Sequence, residues 1–208
     1  MLDAACGIGI DVASLHRRGF RVVAADASAA MVRRCEERLA QQGTAIPVVR
    51  CPWDGLPGRF GSEFDAVLCL GNSLSHAPST EARRAALAAF AEVLVPGGTL
   101  VLDIQDWEVV HAAGRRRDDD PLVVARDGIE CRRRFDWRVP DRFEDPLVLE
   151  ITLSLREGGV ERQSSHEMAF CLFTREALLD DLEASGFVGV DLRQDPGDDR
   201  YAVTAQVA

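Results

Sequence analysis

The sequence predicts an α/β protein in which helices cover both faces of a mostly parallel sheet, with an antiparallel β insertion before the last helix. Short apolar runs alternate with amphipathic helical segments through residues 1–105, which is typical of repeated strand–helix units. The apolar runs are nearly continuous, as in FDAVLCLG at 64–71, and such runs are typical of strands buried on both faces. Residues 120–173 alternate apolar and polar positions instead, which predicts antiparallel strands.

Local signals support each element in order. Ser28 is a predicted N-cap and Gly43 a predicted stop for the second helix. Inside the insertion, Asp127–Gly128 and Gly158–Gly159 predict hairpin turns. We expect one domain over residues 1–208. The predicted strands span 2–6, 21–26, 44–50, 64–71, 99–105, 188–194 and 200–207. The predicted helices span 10–19, 28–43, 79–94 and 174–187.

Composition and charge exclude several classes of function. The apolar share of 47% and charged share of 28% are ordinary for a globular domain. The net charge of −10 argues against a nucleic-acid partner, which needs a basic surface. The run RRR at 115–117 is followed by DDD, so a solvated loop is expected there. No apolar run approaches the ~18 residues of a membrane span. The 6 cysteines are scattered without metal-binding spacing, which indicates a reducing, cytoplasmic setting and no metal site.

A glycine-rich turn and an acidic residue together predict a nucleoside-binding site. The segment DAACGIG places Asp3, Gly7 and Gly9 between a strand and a helix, where small residues let the backbone approach a ligand. Asp26 ends the next strand, where a carboxylate can accept hydrogen bonds from both hydroxyls of a ribose. Two cofactors fit this pattern, a nicotinamide dinucleotide and S-adenosylmethionine. The third glycine of the dinucleotide pattern is replaced by Val12, and Asp3 suits a positive sulfonium, so S-adenosylmethionine is favoured.

Four segments in the right order resemble successive motifs of the class I S-adenosylmethionine-dependent methyltransferases. They are LDAACGIGID at 2–11, VVAADASAAMV at 22–32, FDAVLCLGNS at 64–73 and LVPGGTLVLDI at 94–104. The stretch CLGNSLSH at 69–76 and the antiparallel insertion resemble the glycine/sarcosine N-methyltransferase branch. The resemblance covers nearly the whole chain. It implies a Rossmann-like fold, an enzyme that transfers methyl groups, and S-adenosylmethionine as the cofactor.

The resemblance also implies roles for individual residues at the cofactor site. Asp26 would hold the ribose, Trp53 would lie against the adenine, and Asp54 would bond the adenine amine. Leu70 would contact the cofactor through its backbone, and His76 would close over it. The full set of implied cofactor-binding residues is Asp3, Ala5, Gly7, Gly9, Asp26, Ala27, Met31, Trp53, Asp54, Leu70 and His76.

On the acceptor side the sequence departs from that branch. The resemblance places Asn72 against the acceptor, but an arginine that clamps the acceptor carboxylate in these enzymes is replaced by Gln105. Arg162 in the insertion is a candidate for a displaced anion contact. Three nearby acids predict a negative rim that disfavours a free carboxylate and tolerates an amine or a cation. These acids are Asp103, Asp106 and Glu108.

The predicted reaction is methyl transfer to a small-molecule acceptor, with nitrogen as the favoured atom. The candidate catalytic residues are Asn72, His76 and Asp106, the last two as bases for a hydroxyl or carbon acceptor. O- or C-methylation, hydride transfer with a nicotinamide cofactor, and a non-catalytic module that binds S-adenosylmethionine remain as alternatives. A homo-oligomer is compatible with the sequence. The chain begins at the first strand, ahead of which family members carry helices that cover the cofactor, so weak cofactor binding and low activity are expected of these 208 residues.

Overall fold

Twelve strands and six helices follow one another along residues 1–119, 123–126 and 128–208, the part of the chain that the computed structural model describes. The strands are β1 (Leu2–Asp3), β2 (Val23–Asp26), β3 (Val48–Arg50), β4 (Phe64–Cys69), β5 (Leu94–Gln105), β6 (Arg116–Asp119), β7 (Val124–Arg126), β8 (Ile129–Arg138), β9 (Leu147–Glu157), β10 (Val160–Phe170), β11 (Phe187–Arg193) and β12 (Arg200–Val207). The helices are α1 (Ile10–Arg17), α2 (Ala29–Gln41), α3 (Leu56–Arg59), α4 (Thr80–Val93), α5 (Trp107–Ala113) and α6 (Arg175–Ala184). Short 3₁₀ turns cover Trp53–Gly55 and Ser73–His76.

The larger sheet has seven strands in the order β3-β2-β1-β4-β5-β12-β11. Neighbouring strands from β3 to β5 are parallel, and β12 runs antiparallel to both β5 and β11. The predicted α/β fold with a mostly parallel sheet is therefore confirmed. The connections change direction between β1 and β4, and in such sheets ligands bind at the carboxyl ends of the strands beside this switch point.

The centre of this sheet is apolar because both of its faces are covered. Leu2 of β1, Val67 of β4 and Leu102 of β5 are fully buried, as are Phe90 of α4 and Leu178 of α6. Burying a side chain of this size contributes roughly 1.5–3 kcal/mol relative to leaving it exposed. The continuous apolar runs in the sequence thus correspond to strands packed between helices.

Two serine caps fix where the long helices begin. The Ser28 hydroxyl accepts a hydrogen bond from the Met31 N–H at 3.4 Å, and the Ser79 hydroxyl accepts one from the Ala82 N–H at 3.2 Å. Gly43 follows α2 with a φ of 65°, so the predicted cap and stop of this helix are confirmed. Among the described residues, every helix is too short or too polar to cross a lipid bilayer.

Residues 107–174 form a second compact unit, separate from the unit of residues 1–106 and 175–208. Its sheet has the order β10-β9-β8-β6, with β7 paired to β8, and all of these pairs are antiparallel. The predicted antiparallel insertion before the last helix is therefore confirmed.

The turns of this insertion follow the sequence where the structure describes them. Gly158 and Gly159 join β9 to β10 with φ values of 55° and 83°, as a two-residue hairpin loop requires. Asp127 of the other predicted turn lies outside the described residues, and so does residue 120, the expected start of the insertion. The single-domain expectation over residues 1–208 stays a prediction.

Several elements differ from expectation, three of them in a way that has a clear physical reason. The strand expected at 99–105 begins at Leu94, and its PGG segment is absorbed by a register shift between β4 and β5. Helix α5 was not predicted, since its 7 residues give too short a pattern. The expectation of a loop at RRRDDD is wrong for residues 116–119, which form β6 and pair with β8, although these residues are mostly exposed as expected. Arg117 of this strand forms an ion pair with Asp136 at 2.8 Å. An edge strand such as β6 tolerates these charges.

Candidate functional site

A cavity of about 480 Å³ opens in the first unit where β1, β2 and β4 end. Its volume falls within the roughly 300–1,000 Å³ that small-molecule sites occupy. The segments after the parallel strands supply most of its wall, and the first turns of α4 close one side. The lining residues are Ala4, Ala5, Asp26, Ala27, Pro52, Trp53, Asp54, Ser73, His76, Ala77, Pro78, Ala82, Ala85 and Ala86.

The carboxylate of Asp26 is held in place at the edge of this cavity. Its Oδ2 accepts a hydrogen bond from the Gly7 N–H at 2.9 Å, and its Oδ1 accepts one from the Ser28 N–H at 2.8 Å. An ionised carboxylate has about four acceptor positions, so each oxygen keeps one for a further donor. The side chain therefore links the glycine-rich turn to the start of α2 and can still receive two hydroxyl groups from a ligand.

Two glycines give the turn after β1 its shape. Gly7 has a φ of 52° and Gly9 a φ of 78°, in the left-handed region that favours glycine. A Cβ atom on Gly9 would lie 2.5 Å from Sγ of Cys35 in α2. Glycine at this position therefore allows the turn to pack closely against α2.

Trp53 has one fixed orientation in the cavity wall. Its indole N–H donates to the carbonyl oxygen of Ala4 at 2.9 Å. The ring meets Phe90 edge to face, with centroids 5.8 Å apart and planes at 77°. The half-buried indole thus presents a preorganised aromatic surface to the cavity.

Asp3 lies behind the cavity wall and is only 3% exposed. Its Oδ1 accepts a hydrogen bond from the Ala5 N–H at 3.3 Å. Burial raises the pKa of this carboxyl to about 7, although the Ala5 N–H opposes the shift, and the charges of Asp11 and Asp26 add to it. Asp3 is therefore a carboxyl that titrates near neutral pH beside the site.

Asn72 anchors the segment that follows β4. It is buried and has a φ of 62°, the only positive value at a non-glycine residue in the described part of the chain. Its Oδ1 accepts hydrogen bonds from the Ser75 hydroxyl at 2.8 Å and from the Gln105 backbone N–H at 3.0 Å. The carboxamide oxygen of Asn72 therefore connects the turn after β4 to β5. This turn places Ser73 and His76 in the cavity wall.

The end of β5 is electrically balanced, in contrast to the expected negative rim. Asp103 forms two hydrogen bonds with the Arg200 guanidinium, at 3.0 Å and 2.6 Å, and also accepts the Gly71 N–H at 3.1 Å. Asp106 is 1% exposed and forms an ion pair with Arg175. The prediction of a negative rim is wrong for these two acids, because an arginine from a distant part of the chain neutralises each of them.

These contacts also bear on two other acceptor-side predictions. The Gln105 side-chain amide donates to the Asp199 carbonyl oxygen at 2.6 Å, within the protein. The buried ion pair of Asp106 does not favour its use as a general base. Arg162 is exposed in β10 of the second unit, opposite Leu155, and its contact with an acceptor stays a prediction.

Arg175 and Arg200 were not among the residues predicted from the sequence, although a signal for one of them was present. The last strand runs antiparallel to β5, so the first residue of β12 must lie beside the last residue of β5. Arg200 is indeed the cross-strand partner of Gln105. The position of Arg175 at the start of α6 has no comparable local signal.

The structure brings six of the expected cofactor residues together in the cavity wall: Ala5, Asp26, Ala27, Trp53, Asp54 and His76. Asp3 and Gly7 support that wall through hydrogen bonds. The Leu70 carbonyl oxygen accepts hydrogen bonds from Ser73, and Met31 has an exposed side chain in the first turn of α2. Direct contacts of all these residues with a cofactor stay predictions.

The fold and the cavity define a Rossmann-like protein with a nucleoside-type site. The family model for a methyltransferase domain matches residues 1–98. The glycine/sarcosine N-methyltransferase of Aphanothece halophytica is 36% identical over 174 residues, which are 82% of this chain and 65% of that protein. The glycine N-methyltransferase of Rattus norvegicus is 34% identical over 125 residues, which are 55% of this chain and 43% of that protein.

Solved structures agree with these relatives. The sugar N-methyltransferase KedS8 from Streptoalloteichus sp is 27% identical with a TM-score of 0.82, over 99% of this chain and 78% of that one. An S-adenosylmethionine-dependent methyltransferase from Clostridium acetobutylicum shares the fold, with 18% identity and a TM-score of 0.80, over 100% of this chain and 83% of that one. The chain has the fold of the class I S-adenosylmethionine-dependent methyltransferases, and these matches support S-adenosylmethionine as its cofactor. It spans about half of the length of these curated relatives, 65% of the Aphanothece protein and 43% of the rat protein.

Proposed function

We propose that the chain transfers a methyl group from S-adenosylmethionine to the nitrogen of a small-molecule amine. The observation that carries this proposal is the Asp26 carboxylate, which two backbone N–H groups hold at the edge of the cavity. An anchored carboxylate with spare acceptor positions suits the two hydroxyls of a ribose. The fixed indole of Trp53 lines the same cavity and suits the face of a purine.

The chemistry asks for orientation more than for a strong base. S-adenosylmethionine supplies a methyl group on a positively charged sulfur, which departs as a neutral thioether when a neutral amine attacks. Holding two reactants in line can contribute roughly 7–11 kcal/mol of barrier reduction. In this chain Asp26 and Trp53 would fix the nucleoside, while Ser73 and His76 close the wall beside it. The proton that the amine loses after transfer can pass to solvent.

Two acceptor classes are supported, and both are amines. The relatives include enzymes described as glycine and sarcosine N-methyltransferases, which favours an amino-acid acceptor. The structural likeness to a sugar N-methyltransferase over 99% of the chain favours an amino sugar as the second candidate. Because Arg200 and Arg175 balance the acids at the end of β5, the charge there no longer argues against a carboxylate.

A transfer assay tests this proposal. The protein is incubated with S-adenosylmethionine and, separately, with glycine, sarcosine, an amino sugar and the matching sugar that carries a hydroxyl in place of the amine. We expect release of S-adenosylhomocysteine and a methylated product with at least one amine, and none with the hydroxyl control.

Other results would redirect the proposal. Transfer to the hydroxyl sugar alone would indicate O-methylation. Cofactor binding without release of S-adenosylhomocysteine from any acceptor would indicate a non-catalytic module. Binding of a nicotinamide dinucleotide in place of S-adenosylmethionine would contradict both methyl transfer and a non-catalytic S-adenosylmethionine-binding module.

A further inference from the structure

The wall of the cofactor cavity has a buried carboxyl directly behind it. Ala4 and Ala5 line the cavity, and Asp3 precedes them at the end of β1. The Asp3 side chain turns back to accept the Ala5 N–H, so it lies one peptide unit away from the cavity surface. At 3% exposure it is almost fully shielded from solvent, and the residues Ala4 and Ala5 stand between it and a ligand in the cavity.

The groups that face Asp3 are acids and thiols. Asp11 approaches from α1 and Asp26 from the end of β2. Three thiols also lie near enough to interact electrostatically with Asp3, those of Cys6 in the same turn, Cys35 in α2 and Cys69 at the end of β4. Burial raises the pKa of each thiol, so these groups stay neutral at physiological pH. The charge that Asp3 gains on ionisation is therefore not balanced by these neighbours.

The two nucleosides that an enzyme of this kind exchanges differ in charge. S-adenosylmethionine carries a positive sulfonium, whereas S-adenosylhomocysteine, the product, carries a neutral thioether at the same place. A negative charge in a poorly solvated wall attracts a nearby cation across several ångströms without contact, since screening there is weaker than in water. The identity of these ligands rests on the function proposed above.

We propose that the Asp3 carboxylate selects the positively charged cofactor over the neutral product, and that this selectivity increases with pH. Asp3 acts through the Ala4–Ala5 wall and touches neither ligand, so it is a specificity-determining residue and not a catalytic one. In the acidic range the neutral carboxyl of Asp3 does not change the affinity for one ligand relative to the other. In the alkaline range the ionised carboxylate favours the cofactor and weakens inhibition by the product.

Thermodynamic linkage gives a second signature. If the positive ligand binds better to the ionised form, its binding must lower the pKa of Asp3, which lies at about 7 in the ligand-free protein. Binding of S-adenosylmethionine near neutral pH then releases protons from Asp3, whereas binding of S-adenosylhomocysteine releases none from this group.

Calorimetry on the full chain tests the inference. The dissociation constants of both ligands are measured at two pH values, about one unit below and one and a half units above the Asp3 pKa, for the native chain and for Asp3→Asn. The asparagine keeps the shape of the carboxyl but cannot ionise. We expect the ratio of cofactor to product affinity to rise about fivefold to tenfold more in the native chain than in Asp3→Asn, as one charge at this separation supports.

Two controls separate this effect from others. Asp11→Asn removes an exposed carboxylate from the same region and is expected to keep the pH-dependent rise. Titration in two buffers of different ionisation enthalpy measures proton release in the native chain without any variant. The α-amino group of the ligand also titrates, but it does so equally with native chain and variant, so their difference reports on Asp3.

The outcomes are distinguishable. Binding of both ligands with the same pH dependence in the native chain and in Asp3→Asn would overturn this inference and leave the proposed function intact. Absence of binding by either ligand at both pH values would overturn the proposed function, and the inference with it.

Discussion

Asp26 is the residue on which the cofactor site depends most directly. Two backbone N–H groups orient its carboxylate before any ligand binds, so binding requires little further ordering of this side chain. The sequence predicted its role, because an acid at the end of a strand after a glycine-rich turn is a local pattern. The partners that fix it, Gly7 and Ser28, were equally local.

Replacing Asp26 by asparagine should weaken cofactor binding strongly. The amide cannot accept at both atoms, so hydrogen bonds to a charged acceptor are lost, and we expect affinity about tenfold to hundredfold lower. Calorimetry with S-adenosylmethionine measures this, and Glu36→Gln, an exposed acid of α2, is the matched control. Unchanged affinity in Asp26→Asn would refute the assigned ribose contact.

Asp3 should also make stability depend on pH. Its pKa in the folded chain, about 7, lies above the ordinary aspartate value of 3.8, so the folded state holds a proton that the unfolded state has released between these pH values. The free energy of unfolding therefore falls as pH rises through this window and levels off above it, by about 2 kcal/mol between pH 5 and 8. Urea unfolding at several pH values measures this fall in the free energy of unfolding for the native chain and for Asp3→Asn. The contribution of Asp3 to the fall should be absent from the variant. Parallel pH profiles for the two proteins would contradict the prediction.

At the scale of elements, the turn after β4 is held by side-chain contacts that no propensity scale anticipates. Asn72 was expected to meet the acceptor, since the resemblance placed it there. The structure shows that its Oδ1 accepts hydrogen bonds from Ser75 and from the backbone of β5, and its contact with an acceptor stays a prediction. The sequence could place this residue at the correct strand end, but it could not show which way the carboxamide oxygen is directed.

Two substitutions separate the hydrogen bonds of Asn72 from its backbone conformation. Asn72→Gly keeps a positive φ without strain but removes the tie to β5, whereas Asn72→Ala removes the tie and adds roughly 1–2 kcal/mol of left-handed strain. We expect both to weaken cofactor binding, and Asn72→Ala to have the lower free energy of unfolding. Equal stability of the two variants would argue against the left-handed conformation.

At the scale of the whole molecule, α4 and α6 are joined by a buried ion pair. Nε of Arg83 lies 2.7 Å from Oδ2 of Asp181, and the two side chains are 2% and 1% exposed. The exposed Arg84 donates to the other carboxylate oxygen at 2.6 Å. Pairing over this sequence separation is invisible in the sequence, and so is the pair Asp106–Arg175. The regular alternation of strands and helices, in contrast, was sufficient to predict the parallel sheet.

Breaking the buried pair should be costly, and replacing both partners should not. Asp181→Leu leaves the Arg83 charge buried without its partner, and we expect a loss of about 3–5 kcal/mol in the free energy of unfolding. The double variant Arg83→Met with Asp181→Leu should recover most of that loss, because two apolar side chains fill the same space. Chemical denaturation of the native chain, Asp181→Leu and the double variant measures both changes in the free energy of unfolding. A double variant no more stable than Asp181→Leu would show that the pair is not the cause.

The arrangement of β12 also has a consequence for biosynthesis. Arg200 of β12 donates to the carboxylate of Asp103. The same carboxylate accepts a hydrogen bond from the N–H of Gly71, which lies far earlier in the chain. Until β12 has been translated and has paired with β5, the nascent chain exposes one hydrogen-bonding edge of β5, including the backbone of Leu100 and Leu102. The nascent protein therefore completes the contacts that hold Gly71 only after β12 has been translated.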